Sequence, residues 1–300
     1  MLLSQRLWSN AYLLLSLTAL FWAGNALSSR MAVGEVSPML LTCLRWLGVC
    51  LVLLPFYAKE VRQAFPVLMR QPWRTLLMAA FGFTGFNVLM YIAGQYTTAT
   101  NIGLLQGAMP AMIFLGAFLV YRTGMTALQA FGLLVTTFGV AIIATRGSLD
   151  TLRSLAFNRG DVLMLIACSF YAGYTVLVRG RPSMPGIVFF VAMAVIAFLA
   201  SLPAVAVEYE LGHLIWPSPK GWMIILYVTF FPSLLAQIFF IRGVELVGPG
   251  RSGLFVNLTP AFTAILAVAI LGEPFGMVEG VAMALIVGGI ALAERRSGAA

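Results

Sequence analysis

The chain has 300 residues, 61% of them hydrophobic and 9% charged, with a mean hydropathy of +0.97. A soluble domain carries about 25% charged residues to cover its surface, so this composition excludes one and makes a bilayer the main solvent. The net charge of +8 does not mark a nucleic-acid binder, because Lys and Arg sit between apolar segments, where they set topology and meet anionic lipid.

A bilayer core needs ~20 apolar residues per helix. Ten spans are predicted in chain order, at 11–31, 37–57, 73–94, 97–120, 124–145, 160–178, 185–207, 221–243, 248–271 and 275–293. Arg6 ahead of the first span imitates a signal peptide, but the apolar run is too long and no small-x-small cleavage site follows it. On the first span Thr18, Trp22, Asn25 and Ser29 recur at helical spacing. The second holds Arg45, a charge well inside a span. The third carries a like stripe, Thr84, Asn87, Tyr91 and Gln95, with Asn101 and Gln106 on the fourth. Tyr171 and Tyr174 on the sixth, Gln237 on the eighth and Asn257 on the ninth continue the set.

Polar groups facing lipid are costly, so these stripes turn inward. The functional reading is a central cavity lined by Trp22, Asn25, Asn87, Tyr91, Asn101, Tyr171, Tyr174, Gln237 and Asn257, with Arg45 available to a substrate carboxylate. Amides donate to a carboxylate and accept from an ammonium, and aromatic faces suit apolar groups and cations. The competing reading is packing: interhelical amide bonds, stacked rings, and an arginine that snorkels or meets a carbonyl. Pro110 and Pro260 fall within spans and predict kinks. With Pro232 and Gly82 they are candidate hinges, the alternative being static bends.

The sequence matches itself at a shift of about 150. Phe21-Trp22-Ala23-Gly24 meets Phe170-Tyr171-Ala172-Gly173 and Trp73 meets Trp222 at 149; Gly103-Leu104 meets Gly253-Leu254, Pro110-Ala111 meets Pro260-Ala261 and Gly139 meets Gly289 at 150. Five spans per copy is an odd number, so the second copy enters the membrane from the opposite side. That is an inverted-topology repeat, a design suited to alternating access. With the N-terminus and even-numbered connections on one side, that side holds twelve Lys and Arg and the other five. Both termini are therefore expected in the cytoplasm.

These features resemble the EamA-type exporters of the drug/metabolite transporter superfamily. The resemblance rests on the 5+5 spans, Phe21-Trp22-Ala23-Gly24-Asn25, the Gly-Leu-x5-Pro-Ala pattern of the fourth and ninth spans, and Leu271-Gly272-Glu273-Pro274. Within the family the chain is most similar to the aromatic amino-acid exporter branch. The resemblance implies an all-α membrane fold, with one EamA-type five-helix repeat over 1–150 and a second, inverted one over 151–300. It also implies export of amino acids or related metabolites, in a bacterial inner membrane.

Cys43, Cys50 and Cys168 form no CxxC, and His213 is the single histidine. No metal site, cofactor or catalytic constellation is expected, so the chain is not read as an enzyme. The ten acids lie in connections or near span ends and no Walker motif occurs, which points to facilitated diffusion without proton coupling. The expected partners are a small-molecule substrate and membrane lipid, with the monomer functional. Drug efflux, a nucleotide-sugar-like carrier and a channel are the alternatives; phosphate carriers would want several cations at membrane depth.

Overall fold

The computed structural model describes residues 8–122, 124, 126–148, 158–248, 252 and 255–294. Arg6, Asp150, Arg153, Arg251, Gly253, Leu254, Arg295 and Arg296, used above for topology, the repeat or the acid inventory, lie outside the described residues.

The described residues are all-α. The first half holds α1 (Ala11–Met31), α2 (Pro38–Leu68), α3 (Pro72–Ala93), α4 (Ala99–Tyr121) and α5 (Ala127–Thr145). The second holds α6 (Arg159–Val178), α7 (Gly186–Glu210), α8 (Pro219–Val247), α9 (Leu258–Leu271) and α10 (Met277–Glu294). Eight are long and apolar enough to cross a bilayer; α9 and α10 are shorter apolar helices. Start signals are local. Asn10 Oδ1 accepts from the Leu13 amide, Thr126 and Gln129 form a capping box, and α2, α3 and α8 begin with proline, which needs no N–H in a first turn. At 31 residues α2 extends about 46 Å, so residues 58–68, expected as a connection, continue the helix past the apolar core.

The packing is reciprocal. Helix α1 packs on α8 and α9, and α6, its counterpart, packs on α3 and α4. The pairs α2–α7 and α5–α10 match each element with its own equivalent. The α5–α10 crossing needs two glycines. A Cβ on Gly132 would meet the Gly289 carbonyl, and one on Gly289 would meet the Gly132 carbonyl, the close approach that small residues permit between membrane helices. Leu51, Phe56, Leu134, Phe138 and Ile265 face outward, toward what would be lipid.

Helix irregularities also match between halves. Helix α3 turns π-helical over Ala80–Gly85 and α8 over Thr229–Leu235. Each segment closes with an i→i−5 bond, Phe86 N–H to Phe81 and Ala236 N–H to Phe231. The candidate hinges Gly82 and Pro232 lie inside these two segments. Pro110 and Pro260 depart from expectation. Helix α4 tightens into a 3-10 turn at Gln106–Ala108 and resumes at Met109, with Pro110 in its resumed first turn. Asn257 is a turn residue and Pro260 the third residue of α9. Each proline restarts a helix just after an interruption, where its missing N–H costs nothing, rather than kinking a continuous one.

Candidate substrate site

Arg45 is 4% exposed and sits seven residues into α2. Its guanidinium is held by neutral groups from three other helices. Nη1 donates to Asn25 Oδ1 of α1 at 3.0 Å, and to Asn87 Oδ1 and the Tyr91 hydroxyl of α3 at 2.6 and 2.7 Å. Nε donates to Ser233 Oγ of α8 at 2.5 Å. The Tyr91 hydroxyl in turn donates to Asn25 Oδ1 at 3.0 Å. The guanidinium also lies 5.1 Å from the Trp46 ring centroid, a cation–π distance. Among the described residues no Asp or Glu makes an ion pair with Arg45.

The π segments serve this cage. Within α3 the Phe83 carbonyl accepts from Asn87 Nδ2 at 2.5 Å and from Trp46 Nε1 at 3.2 Å. At the entry to the α8 segment, the Val228 carbonyl accepts from Ser233 Oγ at 2.5 Å. A wide turn leaves carbonyls outside the i→i−4 ladder, and side chains take them here.

A second cluster adjoins the first and is aromatic. The Phe83 ring packs against Trp46, Phe190 and Tyr174, with centroids 5.0, 6.2 and 5.4 Å away. Tyr171 contacts Tyr174 at 5.5 Å and Phe86 at 5.3 Å. Tyr174 lies against Gly82, where no larger residue fits.

The predicted cavity residues therefore divide. Asn25, Arg45, Asn87 and Tyr91 meet in the polar cage. Tyr171 and Tyr174 belong to the aromatic cluster. Trp22 packs on Phe240 at 5.4 Å. Gln237 is part-buried on α8 and Asn257 lies in the turn before α9; the structure brings neither into the cage. Asn101 lies at one end of the bundle, donating to Thr97 Oγ1 and Asp161 Oδ1. The residue types expected around one cavity form one polar and one aromatic group here, with the Phe83 ring between Tyr174 of α6 and Phe190 of α7. Ser233 is the cage member the sequence reading missed.

The end of the bundle nearer the cage is tied by carboxylates that join the two halves. Glu208 of α7 accepts from Ser37 Oγ and from the Met39 and Leu40 amides. Glu273 accepts from the Ala99 and Thr100 amides and the Thr100 hydroxyl. Each carboxylate caps a helix of the other half, satisfying first-turn N–H groups. Asp161, 1% exposed, accepts from Thr97 at 2.5 Å. Glu35 accepts from Ser218 and pairs with Lys220 at 3.3 Å. These acids were expected near span ends, and they are; that Asp161 and Glu208 are buried there was not foreseen. Beside them Arg30, Thr97, Asn101, Arg146 and Glu279 line a cavity of about 410 Å³.

Comparison with known proteins gives this bundle a class. A family model, the EamA-like transporter family, matches twice, over residues 9–145 and 158–294. The uncharacterized transporter YyaM of Bacillus subtilis (strain 168) is 24% identical over 297 residues, covering 95% of this chain and 93% of that one. The uncharacterized transporter YetK of the same organism is 27% identical over 284 residues, covering 93% and 85%. A solved crystal structure shares the fold with a TM-score of 0.62 at 20% identity, over 94% of this chain and 96% of that one. The molecule is a multi-pass membrane transporter and not an enzyme. It belongs to the EamA-like transporter family, whose model covers both of its halves.

Proposed function

We propose that the chain exports amino acids or related small metabolites by alternating access, as two inverted five-helix repeats with both termini in the cytoplasm of a bacterial inner membrane. The observation that carries this reading is the cage around Arg45, which joins α1, α2 and α3 of one half to α8 of the other. A solute bound there touches both halves, as a carrier site between inverted repeats requires. The reciprocal packing and the matched π segments support the pseudo-two-fold relation. The π segments at Gly82 and Pro232 and the interruptions ahead of Pro110 and Pro260 are the candidate hinges, since wide or broken turns give way before regular helix does.

Transport runs down the solute's own electrochemical gradient in this reading, since no carboxylate among the described residues meets the cage. The aromatic cluster beside the cage favours solutes with an apolar or aromatic body. Purified protein in liposomes is expected to take up labelled phenylalanine or its carboxylate analogues saturably. Uptake should be accelerated by unlabelled solute inside and unaffected by collapse of a pH gradient. Linear uptake without counterflow would mean a channel, and strict dependence on a pH gradient would mean proton coupling.

A further inference from the structure

The charge around Arg45 is unbalanced. Burying a guanidinium costs several kcal/mol of desolvation that a nearby anion offsets, and here every partner among the described residues is neutral: two amides, a phenol and a serine hydroxyl. The partners are also unevenly placed. Nη1 has three acceptors for its two hydrogens, whereas Nη2 has no hydrogen bond among the described residues. Nη2 and Nε form the side-on edge of the guanidinium, the edge that receives a carboxylate in a two-bond fork. Among the described residues Ser233 Oγ alone occupies that edge, and it already has a second partner in the Val228 carbonyl. A carboxylate therefore seats by displacing one hydroxyl, while Nη1 stays pinned by Asn25, Asn87 and Tyr91.

We infer that the carried solute is a small organic monoanion, held by one carboxylate on the Nε–Nη2 edge of Arg45 with its apolar body toward the aromatic cluster. This deepens the carrier reading above and rests on it. A zwitterion would cancel the guanidinium with its carboxylate and then bury an ammonium that no Asp or Glu among the described residues of the cage meets. A monoanion leaves the occupied site neutral. Displacing Ser233 also couples occupancy to α8, because Ser233 lies in the π segment of that helix. A monoanion carrier moves net charge, so an inside-negative potential drives its solute outward with no coupled proton. The expected gain is about tenfold in accumulation ratio per ~60 mV.

Three probes of one shape separate the possibilities: 3-phenylpropanoate (anion), phenylalanine (zwitterion) and phenethylamine (cation). In proteoliposomes with an imposed potassium diffusion potential, saturable phenylpropanoate flux toward the positive side is expected, with a final accumulation ratio about tenfold higher per ~60 mV. Arg45→Gln should abolish it and Arg45→Lys should retain a weaker flux. Thermal stability in detergent is read in parallel. Phenylpropanoate should raise the midpoint of the wild-type protein and of Arg45→Lys, but not of Arg45→Gln. The inference is overturned if phenylalanine is preferred with flux indifferent to potential, if Arg45→Gln carries phenylpropanoate as well as wild type, or if no carboxylate shifts the wild-type midpoint. Arg45-dependent stabilisation without saturable counterflow would sink the carrier reading and leave the anion site standing.

Discussion

Arg45 of α2 has no charged counterpart in α7: the shifts of 147 and 148 that bring Pro38 onto Pro185 and Pro55 onto Pro203 set it against Ala192 or Met193, and all three are buried. Around Arg45 stand Asn25, Asn87 and Tyr91; their counterparts are Tyr174, at a shift of 149, and Gln237 and Ile241, at the shift of 150 that sets Gly82 against Pro232. One half thus places a cation and its hydrogen-bond acceptors where the other carries no charge and keeps a single amide, Gln237, beside a phenol and apolar side chains. The helices pair alike in both halves, so this packing does not require the polar set. Groups that the scaffold does without, and that are expensive to bury, are the ones to assign to the solute.

The most disruptive way to break the contrast is Asn25→Tyr, which copies the aromatic half into the polar one. It removes an acceptor shared by Arg45 and Tyr91 and overfills the site. Counterflow is expected to fall at least ~100-fold and stability by about 3 kcal/mol or more, read by thermal unfolding in detergent. Full transport by this variant would leave the polar cage without a role. A finer comparison sets two phenols side by side. Tyr91→Phe takes a hydroxyl from Arg45 and Asn25 and should cost about 1.5–3 kcal/mol. Tyr174→Phe removes a hydroxyl that makes no hydrogen bond among the described residues, and should change stability by less than about 0.5 kcal/mol. Equal shifts for the two would erase the distinction between the clusters.

The smallest expected effect lies outside the cage, where Glu35 bridges to α8. The Ser218 hydroxyl and the Lys220 ammonium hold the Glu35 carboxyl below its ordinary value of 4.5. A lowered folded-state value stabilises the protein above pH 4.5 and loses that contribution as pH falls through the folded value. Glu35→Gln should therefore unfold at a slightly lower temperature than wild type at pH 7, and the gap should close as acid protonates Glu35 in the folded protein. A gap that persists in acid would point to a packing role for this residue.

Much of this contrast was legible in the sequence. Asn25, Arg45, Asn87 and Tyr91 stood out because amides, a phenol and a guanidinium are conspicuous in apolar helices, and their spacing put them on inward faces. Ser233 was not legible. A serine in a membrane helix bonds its own backbone as readily as a neighbour, and the π segment that aims it at Arg45 leaves no simple periodicity. The separation of Tyr171 and Tyr174 from the amides was hidden as well, because it depends on Phe83 and Phe190 arriving from two other helices. Glu208 and Asp161 read as span-end acids, and only the partner half reveals what they bond. The reciprocal pairing was foreshadowed by the near-150 shift, whereas the two cluster chemistries were not, since a repeat aligns positions and says nothing of where they diverge.

The carboxylate caps have a consequence for how the chain is made. The first turn of α2 is completed by Glu208, 168 residues beyond Leu40, and that of α4 by Glu273, 173 residues beyond Thr100. At 5–20 residues per second, a ribosome needs roughly 8–35 s to deliver either cap after the turn that uses it. Through that interval the first half occupies the membrane with two helix ends unfinished. Its final geometry is set only after the second half has been inserted, so a chain halted near residue 150 would be an incomplete object and not half a transporter.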